Sequence, residues 1–137
     1  MMEYGEQNAL EHDLIRFKLV QARDSLDQAR ALLAANMDMD LVGNNVFYAM
    51  YYAVLAMLQK RKVPPETQSV TLSLFDREFI QTGAFDWRYS DALRRAFELR
   101  KACSHDGCTS VQRGDIEDLL PVAEDFVAKA EEILSRI

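Results

Sequence analysis

Apolar residues recur along this chain at alternating steps of three and four, the spacing of a helix with one buried face. The first such stripe lies between about His12 and Asn36 and consists of Ile15, Leu19, Ala22, Leu26, Ala29 and Leu33. Residues 1–11 are mostly polar, and we expect them to be frayed. No segment has a convincing strand pattern. The chain is therefore predicted to be all-α.

A central run from Val46 to Leu58 contains no charged residue, glycine or proline. A helix that is apolar on every side must be wrapped on every side, so this run predicts the central helix of the domain. It is shorter than the ~20 residues needed to cross a bilayer. Asn44 or Asn45 is the expected N-cap. At least one tyrosine hydroxyl of the run should reach the surface or a subunit interface, and the candidates are Tyr48, Tyr51 and Tyr52.

Three more helices follow the central run. Thr67 is the predicted cap of a short helix that stops near Gly83, and Asp86 is the predicted cap of the next. The last helix is predicted from about Gln112 to Arg136, with Pro121 either kinking it or marking its true first turn. Five helices, four of them long, predict an antiparallel four-helix-type bundle with an additional short helix.

The length of the chain favours a single domain that includes residues 1–137. Its formal net charge is -6. That charge argues against a protein that coats nucleic acid. Residues 87–101, however, carry five cations and two anions, a net +3 that leaves -9 elsewhere. The candidate RNA or nucleotide contacts in this segment are Arg88, Arg94, Arg95 and Lys101. The alternative is an ordinary solvated helix face.

Cys103 and Cys108 are the only cysteines, and the N-terminus shows no signal-peptide pattern. The prediction is a cytoplasmic protein with reduced thiols. Together with His105 the cysteines offer three zinc ligands, whereas a closed structural site needs four. We therefore expect neither a metal nor another cofactor, and Cys103 is predicted to belong to the core.

The candidate chemistry lies in the segment from Arg100 to His105. Histidine both accepts and donates a proton near neutral pH, and arginine binds two phosphate oxygens while keeping its charge. The pair therefore suits metal-independent cleavage of RNA. Five residues of ideal helix place the two side chains about 140° apart. Either the helix ends before His105 or a second subunit completes the site. The structural alternative is an Arg100 salt bridge and a His105 helix cap.

Four segments in this order resemble the small stand-alone HEPN domains, the higher-eukaryote and prokaryote nucleotide-binding family. The likeness extends from about Asp13 to Ile137, and its four segments are Tyr48–Leu58, Ser73–Phe79, Ala96–Ala102 and Ala123–Val127.

The resemblance implies a helical bundle that pairs as a homodimer, and the short central run predicts no membrane partner. In active members an Arg-x(4–6)-His motif at the dimer cleft cuts RNA without metal, which would make Arg100 the phosphate ligand and His105 the acid/base. Many members are toxins encoded beside a minimal nucleotidyltransferase, which is the expected antitoxin. Members silenced by nucleotidylation carry a tyrosine two residues after the histidine, where this chain has Gly107.

Three hypotheses follow from the sequence. The first is a dimeric endoribonuclease with Arg100 and His105 exposed in a cleft. The second is a non-catalytic module that binds a nucleotide or a partner nucleotidyltransferase, with a buried or salt-bridged Arg100. The third is a purely structural oligomerisation domain without a basic cleft.

Overall fold

A computed structural model describes residues 4–64, 66–102 and 111–135 of the chain. Over these residues it contains five α-helices and no strand, which confirms the all-α prediction. A π-helical turn, Asp76–Ile80, extends the third helix. The α-helices, numbered in chain order, are α1 Tyr4–Ala34, α2 Met39–Lys60, α3 Gln68–Phe75, α4 Trp87–Ala102 and α5 Arg113–Ser135.

Helix α2 is the centre of the bundle, as its uniformly apolar sequence predicted. It packs against α1, α4 and α5, and its buried residues lie on several sides of the helix. At 22 residues it is longer than the predicted run, and its length and composition would suffice to cross a membrane. Two-thirds of its apolar window (67%) is buried inside the bundle, which accounts for that composition.

Helix α1 begins at Tyr4, about eight residues before the start predicted from the apolar stripe. The helix therefore includes residues 4–11, which belong to the segment that the sequence predicted to be frayed. These residues include Glu, Gln, Ala and Leu, which favour helix even without a buried face. Further along, α1 is held to α5 by two ion pairs between helices, Arg23–Glu131 and Arg30–Glu124.

The start of α2 also differs from the prediction. Asp38 is the N-cap, and its carboxylate accepts the backbone N–H of Asp40 at 2.9 Å. Asn44 and Asn45 lie inside the helix, which also includes Gly43. A Cβ added at Gly43 would meet its neighbours at ordinary van der Waals distance, so this position does not require glycine.

The predicted capping residues of the two following helices are confirmed. Thr67 Oγ1 accepts a backbone N–H of α3 at 3.2 Å, and Asp86 Oδ1 accepts one of α4 at 2.9 Å. Gly83 has the positive φ, 83°, that a helix-ending glycine adopts. Helix α5 begins at Arg113, eight residues before Pro121, so Pro121 does not mark its first turn.

An aromatic cluster in the core joins α3, α4 and α5. The ring centroids of Phe75 and Phe85 lie 5.1 Å from that of Phe126, and they lie 5.2 Å from each other. All three side chains are almost completely buried. Tyr89 of α4 also packs against Phe85 and Phe126. The cluster therefore holds α3 and α4, the two helices that carry Gln68 and Arg100, against α5.

We predict that Gly43→Ala raises the free energy of unfolding by about 0.5–1 kcal/mol, because glycine inside a helix costs that much relative to alanine. An added Cβ would lie 3.5 Å from Val111 and 3.6 Å from Ile116, which is ordinary van der Waals contact. Urea unfolding measures the difference. The control is Gly83→Ala, which should destabilise by about 1 kcal/mol because of its positive φ. A destabilising Gly43→Ala would contradict the prediction.

Candidate functional site

Arg100 lies in the last turn of α4 and points to the place where α2 and α3 meet. Its Nη2 donates to the Tyr48 hydroxyl at 2.8 Å, and its Nη1 donates to Gln68 Oε1 at 3.0 Å. Gln68 Nε2 also donates to the Tyr48 hydroxyl, at 3.3 Å. The three side chains form a closed hydrogen-bonded triangle that joins three helices.

The contacts of the Arg100 guanidinium within the described part of the chain are all with neutral groups. Its central carbon lies 5.1 Å from the Tyr48 ring centroid and 5.6 Å from that of Phe47, within the range of cation–π attraction. Arg100 forms no ion pair with any carboxylate of the described residues, unlike the salt bridge that the structural alternative expected. Only two of its five N–H donors are used within this part of the chain. The side chain therefore keeps its positive charge and further donors.

The other candidate cations of α4 point in different directions. Arg94 pairs with Asp76 of the π-helical turn, and Arg95 pairs with Asp115 at the start of α5 at 2.7 Å. Arg88 is exposed and donates to the Tyr89 hydroxyl at 2.8 Å. Around an ideal helix Arg88 and Arg95 share one direction, Arg94 and Lys101 a second, and Arg100 a third.

The structure therefore does not bring the predicted basic residues onto one face. Arg94 and Arg95 each have a carboxylate partner within the chain. Lys101 is exposed, and its ammonium lies 5.9 Å from the Phe97 ring centroid. The role of these cations in RNA binding stays a prediction, and Arg100 is distinguished from Arg94 and Arg95 by its neutral surroundings.

His105, Cys103 and Cys108 lie outside the described residues. Their predicted roles in catalysis, in a metal site and in the core therefore stay as predictions from the sequence.

A polar groove that is lined in part by Tyr48 was not anticipated from the sequence. It has a volume of about 370 Å³ between α1 and α2, and its lining residues are Gln21, Asp24, Ser25, Gln28, Asn44, Asn45, Tyr48 and Tyr52. Tyr48 and Tyr52 are only half-buried, which confirms that part of the central helix reaches the surface. The sequence does show polar residues at helical spacing on α1. They indicate a groove only when the position of α2 beside α1 is known.

Asp115 fixes the start of α5 against α4. Its carboxylate accepts from Arg95 and, at 3.1 Å, from the backbone N–H of Gln112, which is half of a capping box. The Arg95 guanidinium, with the smaller effect of the Gln112 N–H, holds the pKa of Asp115 below its ordinary value of 3.8. The ionised carboxylate is thus the form that the folded chain favours.

Comparison with known proteins gives three matches over most of the chain. A model described as the HEPN domain matches residues 15–133. A UPF0332 protein of Thermotoga maritima is 28% identical over 121 residues, 88% of this chain and 91% of the relative. A protein of Methanocaldococcus jannaschii named "Putative toxin" is 25% identical over 117 residues, 85% of this chain and 80% of the relative.

We predict that Asp115→Asn lowers stability at neutral pH by on the order of 0.5–1 kcal/mol, because the pair with Arg95 is partly exposed. A carboxyl group with a lower pKa in the folded state stabilises that state at pH values above its unfolded-state pKa. This stabilisation is lost as the pH falls through the folded-state pKa. The difference from wild type should therefore be constant above about pH 5 and shrink on acidification. Thermal unfolding across pH measures this. Asp118→Asn, at the weaker 3.5 Å contact to Arg95, is the control with little effect.

Proposed function

The chain belongs to the HEPN domain family, and from that premise we propose that it is a metal-independent endoribonuclease. Arg100 binds the scissile phosphate, and His105 transfers protons during cleavage. The observation that carries the proposal is the environment of Arg100. Its guanidinium is held in place by Tyr48 and Gln68, both neutral, so the charge is positioned without being neutralised.

This environment is what phosphate binding requires. A carboxylate beside a guanidinium repels a second anion and so weakens its binding, as Asp76 and Asp115 would at Arg94 and Arg95. Arg100 has no such partner among the described residues, and the Tyr48 and Gln68 bonds orient its planar group. Arginine recognises two phosphate oxygens at once through parallel N–H donors, so its orientation matters as much as its charge.

The proposed reaction is an attack of the ribose 2′-oxygen on the adjacent phosphorus. The bond from phosphorus to the 5′-oxygen of the next nucleotide breaks, which leaves a 2′,3′-cyclic phosphate and a 5′-hydroxyl. His105 removes the 2′-hydroxyl proton or protonates the leaving 5′-oxygen. Arg100 stabilises the negative charge that develops on the phosphorane oxygens.

A second copy of this chain is the proposed partner that completes the site. Leu10, Leu14, Phe17 and Val20 of α1 are 46–58% exposed and lie on one side of the helix, within about 120° of one another. Exposed apolar residues that form a contiguous patch mark interaction surfaces. The stripe continues along α1 into Gln21 of the polar groove, so a protomer bound to the stripe would lie next to that groove.

The relative named as a toxin supports a toxin role, and an antitoxin would then have to control the activity. A partner nucleotidyltransferase is the proposed antitoxin. The second candidate function is a non-catalytic nucleotide-binding module. The polar groove of α1 and α2 favours this second candidate, because its side chains offer hydrogen bonds to a nucleotide and binding there needs no catalytic residue.

We predict that purified protein cleaves single-stranded RNA in excess chelator and that Arg100→Ala and His105→Ala each reduce the rate at least about 100-fold. Arg100→Lys should remain strongly impaired, because lysine keeps the charge but not the two parallel donors. Gel analysis of a labelled RNA measures the rate, and the terminal groups of the products identify the reaction.

Arg77→Ala is the matched control for this experiment. Arg77 is an exposed arginine whose partner is its neighbour Glu78, away from the Tyr48 triangle, so its loss should leave the rate unchanged. Wild-type protein that leaves RNA intact, or Arg100→Ala that cuts as fast as wild type, would refute the nuclease proposal.

Phe17→Glu is predicted to convert a dimer into a monomer, because it places a charge in the middle of the exposed α1 stripe. Light scattering after gel filtration measures the mass. Met37→Glu replaces an apolar residue of similar exposure (53%) outside the stripe and should leave the dimer intact. A monomeric wild type, or a dimeric Phe17→Glu, would show that this surface does not join two copies.

A further inference from the structure

We propose that Tyr48 is a further catalytic residue, whose hydroxyl donates a hydrogen bond to the same phosphate group that Arg100 binds. This inference deepens the proposed function and rests on it for the presence of an RNA phosphate at Arg100. It goes beyond the orienting role of Tyr48, in which the phenol oxygen only accepts a hydrogen bond from Arg100.

The orientation of the Gln68 amide decides what the Tyr48 proton can do. Arginine has five N–H donors and no acceptor, so Gln68 must face Arg100 with its carbonyl oxygen. That oxygen accepts from Arg100 Nη1 at 3.0 Å. The amide nitrogen of Gln68 is thereby turned toward Tyr48, and it donates to the phenol oxygen at 3.3 Å. Because an amide NH₂ group is a donor only, Gln68 cannot accept the Tyr48 proton.

The Tyr48 oxygen therefore accepts hydrogen bonds from both neighbours in the triangle and donates to neither. Over the described ranges of the chain, no hydrogen bond has the Tyr48 hydroxyl as its donor. The side chains of Tyr48, Gln68 and Arg100 are all only half-buried, so the triangle borders the solvent. The phenol proton is thus available to an acceptor that comes from outside the chain.

An anion suits this proton best, because the neighbouring group is a cation. The Tyr48 oxygen lies 2.8 Å from Arg100 Nη2, so the two side chains can donate to different oxygens of one phosphate group. The hydrogen bonds that the phenol oxygen accepts polarise its own O–H and strengthen it as a donor. Hydrogen bonds to an ionised acceptor are roughly twice as strong as those between neutral groups.

Such a donor would contribute most in the transition state. Negative charge on the phosphorane oxygens increases during the attack of the 2′-oxygen, and a donor already in place stabilises that charge. The proton stays on the Tyr48 phenol throughout the reaction. Tyr48 therefore adds no proton transfer, and His105 keeps that role in the proposed mechanism.

Tyr48→Phe tests the proposal, because it removes the hydroxyl and keeps the ring that packs against Phe47. We expect the single-turnover rate of RNA cleavage to fall about 10- to 100-fold, the value of a hydrogen bond to a charged group. The 2′-deoxy form of the same oligonucleotide lacks the attacking hydroxyl and cannot be cleaved. Its binding, measured by fluorescence anisotropy, should weaken about 3- to 10-fold, since the ground-state phosphate gains less from the donor.

A ring-fluorinated tyrosine at position 48 separates the donor role from the orienting role. Fluorine beside the hydroxyl makes the phenol a stronger donor and a weaker acceptor. At a pH at which the phenol stays protonated, we expect the fluorinated protein to cleave RNA and to bind the 2′-deoxy oligonucleotide at least as well as wild type. If Tyr48 served only as the acceptor for Arg100, both values would fall toward those of Tyr48→Phe, and the proposal would be overturned.

Tyr51→Phe is the matched control. Tyr51 belongs to the same helix, and its ring is stacked on Phe47 with the centroids 5.4 Å apart, but its hydroxyl takes no part in the triangle. The rate and the binding should therefore stay at the wild-type level. Circular dichroism confirms that each variant is folded. Equal effects of Tyr48→Phe and Tyr51→Phe would count against the proposal, as would a wild-type protein that does not bind the 2′-deoxy oligonucleotide.

The two proposals fail in different ways. Weaker binding of the 2′-deoxy oligonucleotide by Tyr48→Phe, in a protein that cleaves no RNA, would support the phosphate contact and refute the nuclease. Cleavage that depends on Arg100 and His105 but proceeds at the wild-type rate in Tyr48→Phe would support the nuclease and refute the role of Tyr48.

Discussion

The whole architecture depends on the need to bury α2 on several sides. A helix without a polar stripe cannot lie at the edge of a bundle, so α1, α4 and α5 must surround it. The covering helices are attached to one another through ion pairs and through the aromatic cluster around Phe126. The same constraint fixes the site, because Arg100 is positioned by a tyrosine that belongs to α2.

Arg100 is distinguished by its partners rather than by its neighbours in the sequence. Arg94 and Arg95 belong to the same helix, yet each faces a carboxylate of another element. Arg100 lies about a third of a turn from Lys101 and faces Tyr48 and Gln68 instead. A neutral hydrogen-bonding environment orients a cation without cancelling its charge. That combination is suited to binding an anion that comes from outside the chain.

The polar groove and the exposed stripe of α1 share one side of that helix. Its N-terminal half presents apolar residues to the outside, and its C-terminal half presents amides to the groove beside Tyr48. An exposed apolar surface and a polar groove are thereby placed next to each other on one helix.

The sequence alone determined the fold class, the central position of α2 and the capping residues Thr67 and Asp86, since helical periodicity and capping are local properties. The family followed from the resemblance of four segments of the sequence. It misplaced the starts of α1 and α2, because helix can continue past an apolar stripe and through Gly43. Only the tertiary structure separated Arg100 from the paired arginines and formed the groove. Both depend on which helices lie side by side, and residue spacing within one helix contains no information about the partner across the interface.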